Sequence, residues 1–328
     1  MTIASTGQRG LPSVFVVVPC YNYGRFLEAC VRSVLSQEGV EPRVLVIDDA
    51  SKDNTADIGE RLAREDHRVQ FIRHVKNAGH IATFNQGIDQ ATGDYFLLLS
   101  ADDYLLPGAL GRAAAVMEKH PEVGFTFGPA RVEGQAAAGA LAPPAEGYLG
   151  AARVLSGLEF VRLSGPRNIV LTPTVVIRRA LQQKVGGYLG TLPHSGDMEM
   201  WLRLAGEGSV GYIDVDQAVY RRHENNMSIA YDGMADLLAR EKAFRAFFVE
   251  AAPKLDPSRR IEQECLHGLA AEAFRHASMA LNRRDPVAAA QFKRYGLSLS
   301  PTARFSLNWL KLGIKQALWA PMLRRSGA

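Results

Sequence analysis

Three cysteines in 328 residues (Cys20, Cys30 and Cys265) are too few, odd in number and wrongly spaced for a disulfide framework or a cysteine metal site. They point to a reducing compartment. No run of about 18 apolar residues occurs, so no membrane-spanning helix is expected. The polar opening, Met1 to Pro12, lacks the apolar core of a signal peptide. The net charge is only +4 and no long Lys/Arg run precedes the C-terminus, which argues against nucleic acid as a partner. Two phosphate-binding signatures are missing as well. There is no Gly-x-x-x-x-Gly-Lys-Ser/Thr loop, and no Gly-x-Gly-x-x-Gly follows the first apolar run, which disfavours a kinase-type nucleotide site and a dinucleotide site. No repeat of fixed period appears in the first 230 residues.

What is present is the pattern of an α/β chain, long enough for about two structural units. Val14-Phe15-Val16-Val17-Val18 predicts a buried strand stopped by Pro19. Cys20 to Gly24 reads as a loop, after which Phe26, Leu27, Cys30, Val31, Val34 and Leu35 recur at helical spacing. A second strand over 44–47 ends in Asp48-Asp49, with a helix from Ala56, a third strand over 69–72 and a helix over 81–91. The apolar run from Gly93 to Leu99 predicts a fourth strand, which leads to Asp102-Asp103. Short connections of this kind imply a parallel sheet, and strands apolar on both faces imply that helices cover it. Ligands bind such sheets outside the carboxyl ends of the strands, where both aspartate pairs fall. Beyond lie a helix over 110–119, a strand over 123–127, an Ala-, Gly- and Pro-rich surface loop over 134–150, and a loop and strand over 168–177. A helix over 197–205 and strands over 210–213 and 218–220 lead to Arg221-Arg222-His223. After Asp232 the pattern is helical, with a pair of helices joined near 282–286.

Three acidic sites therefore end or follow core elements: Asp48-Asp49, Asp102-Asp103, and Asp197 with Glu199. Carboxylates gathered at one sheet edge repel, and a divalent cation or a hydroxyl-rich ligand would relieve that cost. Oxygen ligands suit Mg²⁺ or Mn²⁺ better than zinc, and such a cation can neutralise a diphosphate leaving group. Each site also fits a plainer role, as an Asx turn or a helix cap.

Taken in order, Val16-Val17-Val18-Pro19-Cys20-Tyr21-Asn22, Val46-Ile47-Asp48-Asp49-Ala50-Ser51-Lys52-Asp53, Asn77-Ala78-Gly79 with Asn85-Gln86-Gly87-Ile88, Gly93-Asp94-Tyr95 and Ala101-Asp102-Asp103 resemble the family-two glycosyltransferases of GT-A fold. The resemblance covers about residues 13 to 225. It implies an α/β architecture, a GT-A-like nucleotide-binding sheet flanked by helices over 1–230, followed by a helical C-terminal region over 231–328. It also implies transfer of a sugar from a nucleotide diphosphate sugar, with inversion, to an acceptor hydroxyl in bacterial polysaccharide or glycoconjugate synthesis. A UDP-sugar is the favoured donor and Mn²⁺ or Mg²⁺ the implied cofactor.

Carried over position by position, Pro19 and Tyr21 match the loop that lines the nucleobase. Asp49 matches the carboxylate that reads the base edge, with Asp48 before it, and Asn77 joins the nucleotide-sugar-binding set. Asp102 and Asp103 match the end of an Asp-x-Asp metal and ribose motif whose first aspartate is Ser100 here. Asp197 matches the catalytic base, with Glu199 as runner-up, and Gly196 replaces the usual preceding acid. His223 matches a metal ligand or phosphate partner. An inverting transfer needs one such carboxylate to deprotonate the attacking hydroxyl.

Ser100 and Gly196 keep open a non-catalytic sugar-nucleotide-binding or scaffold protein of the same fold. A nucleotidyltransferase is a third reading, although Pro19-Cys20-Tyr21-Asn22 is not the basic glycine-rich loop it would want. His80, His194 and Cys20 receive no role. The tail from Arg304 to Arg325 mixes Phe305, Leu307, Trp309, Leu310, Ile314 and Trp319 with Lys311, Lys315 and Arg324. A basic amphipathic helix of that kind can lie on an anionic membrane surface, pack on the body of the protein, or form a dimer contact. The expected location is cytoplasmic, with peripheral contact at the inner face of the membrane if the tail docks there.

Overall fold

The computed structural model describes residues 10–134, 152–224, 226, 233–256 and 258–325, with backbone alone at 250–254 and 318–325. The expected surface loop over 134–150 lies outside them apart from Gly134. Two compact units are present. Met1–Gly157, Val170–Pro193 and Glu207–Asn226 form the first; Leu158–Ile169, His194–Gly206 and Met227–Ala328 form the second.

The first unit is built on β1 (Ser13–Cys20), paired in parallel with β2 (Glu41–Asp48) on one side and β4 (Tyr95–Leu98) on the other, with β3 (Val69–Arg73) outside β2. The helices α1 (Gly24–Leu35), α2 (Thr55–Glu65) and α3 (His80–Gln90) connect them. Val16, Val18, Val44, Val46 and Leu97 are buried in one cluster with Leu27 and Val31 of α1, which is why these strands are apolar throughout. Helix α3 packs tightly on β1 at Gly87, where a Cβ would stand 2.3 Å from Val17 Cγ1. The strand order 3-2-1-4 reverses at β1, which places the ligand crevice at the carboxyl ends of β1 and β4.

Two expectations change. Pro19 does not stop β1 but lies inside it. Its carbonyl accepts from Ala101 N on the β4 side, beyond the last rung Val17↔Leu98, so its missing N–H interrupts no ladder. The sheet is also mixed rather than wholly parallel: beyond β4 its eight strands continue with β9 (Val176–Arg178), β6 (Val123–Phe127), β10 (Ser209–Ile213) and β8 (Ala152–Leu155), in the order β3-β2-β1-β4-β9-β6-β10-β8. The strand β9 lies antiparallel between β4 and β6. It leaves a 3-10 turn at Thr172–Thr174 near the carboxyl end of β4 and so runs back down the sheet. The edge strand β8 is antiparallel to β10. A small second sheet joins β5 (Tyr104–Leu105), β11 (Ala218–Arg222) and β7 (Ala130–Gly134), and brings the end of β11 to the turn after β4.

The second unit is helical: α7 (Gly196–Glu207), α8 (Met234–Leu255), α9 (Arg260–Asn282), α10 (Pro286–Leu299) and α11 (Leu307–Arg325), with most of α5 (Gly157–Ser164). The helix pair expected around 282–286 is α9 and α10, and Asp285 caps α10 by accepting from Ala288 N at 2.8 Å. Leu269, Phe274, Leu281, Phe292 and Leu312 share its core. Helix α11 packs on α9 through Trp309, whose ring lies 5.0 Å from Phe274, and through Asn308, which donates to Ala271 O. Leu307, Leu310 and Ile314 stay exposed on it. No helix among the described residues is long and apolar enough to cross a membrane.

Candidate active site

The loops at the carboxyl ends of β1 and β2 are latched together. Asn22, held at φ 58°, donates its N–H to Ser51 Oγ at 2.8 Å and accepts Lys52 N on its side chain at 2.8 Å. Gly24 N donates to Asp53 Oδ2. Tyr21 projects from this platform, 43% exposed, and Pro19 is buried beneath it.

Asp48 is fully buried; its Oδ1 accepts from Ser51 N at 2.9 Å and its Oδ2 lies 3.3 Å from Arg73 Nε. Asp49 gathers the next turn. Its Oδ1 accepts from Ala78 N at 2.7 Å and lies 2.7 Å from His74 Nδ1, and its Oδ2 accepts from Gly79 N at 2.9 Å. Asn77 Nδ2 donates to the Asp49 carbonyl. Burial works against the Asp49 charge, but these donors outweigh it and hold the carboxyl below the usual aspartate range. Both Asp49 oxygens are thus engaged within the protein. Gln86, from the Asn85-Gln86-Gly87-Ile88 motif, completes the cluster with His74, which the sequence analysis does not name although it follows the last residue of β3 and lies where the strand-end rule points.

The second cluster is the turn after β4. Asp103 N donates to Ser100 O, and Asp103 Oδ1 accepts from Arg221 N at 2.9 Å. Arg221 also donates to the Asp102 carbonyl and lies over the rings of Tyr104 and Phe26. His223, stacked on Phe26 at 5.2 Å, sets its Nε2 3.2 Å from Asp102 Oδ2, and Asn226 Nδ2 lies 3.3 Å from the same oxygen. Asp102 Oδ1 is buried and accepts no hydrogen bond among the described residues. Burial, and then the charge of Asp102, push the Asp103 carboxyl up to about 8. Like charges so close are relieved when a proton is kept, and burial favours keeping it on Asp103.

No group of three or more His, Cys, Asp or Glu preformed for a metal exists among the described residues. An orphaned carboxylate oxygen beside a second acid and an imidazole still fits a hard cation of the Mg²⁺ type. Such ions are held by one or two carboxylates together with substrate phosphates, not by an all-protein cage.

Asp197 belongs to the second unit, at the start of α7. Its Oδ1 accepts from Met198 N and its Oδ2 from Asn168 Nδ2, both at 2.7 Å. Burial pushes its carboxyl above the ordinary aspartate value, against the pull of Met198 N, His194 and Asn168. Glu199 is 1% exposed and gripped by Arg203 through two hydrogen bonds, 2.7 Å and 2.8 Å, so it is a structural ion pair. Trp201 is buried. Cys20 is buried too, and burial pushes its thiol up to about 12, the opposite of an activated nucleophile.

A sheet that reverses its strand order beside carboxylate turns is of the doubly wound α/β class, whose ligands bind at that reversal. Residues 15–152 match the model of Glycosyl transferase family 2. The chain is 32% identical over 222 residues to Uncharacterized protein MT1568 of Mycobacterium tuberculosis, covering 65% of this chain and 67% of that one. It is 28% identical over 218 residues to Putative glycosyltransferase EpsE of Bacillus subtilis, covering 66% and 74%. Among solved structures it resembles S. aureus TarS 1–349 in complex with UDP-GlcNAc, with a TM-score of 0.57 at 16% identity over 86% of this chain and 90% of that one. It also resembles mannosyltransferase PcManGT from Pyrobaculum calidifontis in complex with GDP-Man and Mn²⁺, with a TM-score of 0.54 at 17% identity over 94% and 81%. At such identities the likeness is one of fold. The chain belongs to glycosyl transferase family 2 and is a glycosyltransferase, as the ordered motifs implied.

Proposed function

We propose that the protein moves a sugar, with inversion, from a nucleotide diphosphate sugar, a UDP-sugar first among them, to an acceptor hydroxyl of a bacterial polysaccharide or glycoconjugate. The observation that carries this reading is Asp102, a buried carboxylate with one oxygen that accepts no hydrogen bond among the described residues, at the crevice where the strand order reverses. Mn²⁺ or Mg²⁺ held by Asp102, Asp103 and His223 would supply positive charge to the departing diphosphate. Pro19 and Tyr21 line the base. Asp48, Asp49 and Asn77 shape its pocket, Asp49 by fixing the Ala78 and Gly79 amides rather than by a bare oxygen.

Asp197 takes the acceptor proton. Met198 N and Asn168 Nδ2 hold its two oxygens in place, and its raised proton affinity strengthens it as a base. The glycosyltransferase domain is assigned to 1–230 and a helical region to 231–328. Exposed Phe305, Leu307, Leu310 and Ile314 beside Arg304, Lys311 and Lys315 support peripheral contact with an anionic membrane at its cytoplasmic face. Cosedimentation with anionic but not neutral vesicles would support that contact; equal recovery with both would oppose it.

The function is tested by release of nucleotide from UDP-, GDP- and dTDP-sugars in Mn²⁺ against EDTA. Release that requires the cation and stops in Asp197→Asn is the expected result. A folded protein that acts on none of them refutes the reading.

A further inference from the structure

A run of polar contacts in the second unit ends on Asp197. Arg240 on α8 and Glu272 on α9 are both buried and pair at 2.8 Å. The same Arg240 Nη1 donates to the Pro166 carbonyl at 2.7 Å, and Nη2 donates to Asp236 Oδ2 at 2.5 Å. Asp236 Oδ1 lies 3.3 Å from His194 Nε2. Glu272 also accepts from Arg275 at 2.6 Å and lies 3.4 Å from Arg167 Nε. Pro166 is pressed on α9 from the other side, where a Cβ at Gly268 would stand 3.0 Å from its ring. Two residues after this doubly anchored proline, Asn168 donates to Asp197 Oδ2.

A buried Arg–Glu pair adds little stability, because desolvation offsets most of its Coulombic gain, and apolar residues of like volume would serve the packing as well. An apolar pair could not hold a backbone carbonyl. The use that distinguishes Arg240 here is its grip on Pro166 O.

We infer that Arg240 and Asn168 are positioning residues for Asp197. Arg240, clamped by Glu272 and Asp236, fixes the 166–168 loop through the Pro166 carbonyl, and the loop aims the Asn168 amide at Asp197 Oδ2. The inference rests on the reading of Asp197 as the base. It gives the C-terminal helices a task within the transfer reaction: they set the carboxylate's rotation and so the direction of its remaining lone pairs. The charged groups around Asp197 are His194 beside it, Asp236 and Arg240 on α8, Glu272 and Arg275 on α9, Arg167 on the loop, and the Glu199–Arg203 pair along α7.

The test is a carbon-detected NMR titration of the Asp197 carboxyl in the full chain, paired with hydrogen–deuterium exchange over 164–169. Asn168 is exposed, so Asn168→Ala should fold; it should raise the proton affinity of Asp197 about tenfold, the size of one charge-assisted hydrogen bond. Arg240→Met should raise it severalfold and speed exchange over 164–169, and Arg240→Lys should recover part of the effect. Added to Asn168→Ala, Arg240→Met should move Asp197 no further, since both act through one contact. If Arg240→Met does not fold, Gly268→Ala, which pushes Pro166 from the α9 side, should shift Asp197 in the same direction. An unmoved Asp197 in these variants, or full additivity, overturns the inference. Asp197→Asn in the same preparation separates the two readings. If it still transfers sugar, the base reading fails and the positioning role falls with it. If it is inactive while Arg240→Met leaves the titration unchanged, the positioning role alone fails.

Discussion

His74 stands between two acceptors: its Nδ1 is 2.7 Å from Asp49 Oδ1 and its Nε2 is 2.5 Å from Gln86 Oε1. The imidazolium, with an N–H on each ring nitrogen, can donate to both. Burial alone would lower the His74 value, but Asp49 and Gln86 raise it above the ordinary one, while Asp49 is lowered. A raised histidine stabilises the fold fully below its unfolded value of about 6.5 and loses that contribution as pH rises through the folded value. A lowered aspartate loses its share only as pH falls through the folded value. His74→Gln should therefore cost about 1–3 kcal/mol near pH 6, and the gap to the parent should shrink toward pH 8. Urea unfolding at a series of pH values measures it, and a gap that grows with pH would contradict the charged pair.

Asp103 makes a pH prediction of the same sign as His74. Its folded value is raised, to about 8, so its contribution is whole below the ordinary aspartate value and is lost as pH climbs toward 8. Asparagine cannot ionise, yet its Oδ1 can still accept the Arg221 N–H. In EDTA, the thermal midpoint of Asp103→Asn minus that of the parent should rise between about pH 5 and pH 8. A difference independent of pH would mean that Asp103 is ionised beside Asp102 throughout.

For Asp197 the prediction concerns rate. With its carboxyl held above the ordinary value by burial, the acid limb of kcat should lie above the free aspartate value of about 3.9. Asp197→Asn should abolish transfer and leave nucleotide affinity within about twofold, because its proposed task is to take the acceptor proton and not to hold the nucleotide. Turnover near the parent's would remove Asp197 from the reaction.

Ala50 sits in the turn after Asp48-Asp49 with φ 60°, a left-handed conformation that costs a residue with a Cβ about 1 kcal/mol. Ala50→Gly should relieve it and stabilise the protein by up to about 1 kcal/mol, the greater freedom of glycine when unfolded offsetting part of the gain. A lower thermal midpoint would show that the Ala50 methyl is needed for packing.

The parts of this molecule that could be read from sequence are those with long, one-sided or two-sided patterns. The strands β1, β2 and β4 are apolar on both faces because helices cover both, and α1 and α9 carry enough turns for helical spacing to show. The strands β8 and β9, four and three residues long, are too short for any period, so the loop and strand expected over 168–177 carry no bounds that would mark off the 3-10 turn and β9. Glu199 could have been set aside earlier, since Arg203 lies one turn on at the spacing of a helical ion pair. Asn168 carried no local signal at all, because its relation to Asp197 spans 29 positions and exists only in the folded chain.

The account turns on Asp102 as the centre of a nucleotide diphosphate site. Isothermal titration of UDP, GDP and dTDP, each with Mn²⁺ and with EDTA, tests this most directly in the parent and in Asp102→Asn. The account predicts binding of one nucleotide, UDP before the others, that needs the cation and weakens at least tenfold in Asp102→Asn, a loss of about 1.4 kcal/mol or more. Binding of none by a folded sample, or binding indifferent to both cation and Asp102, would contradict it.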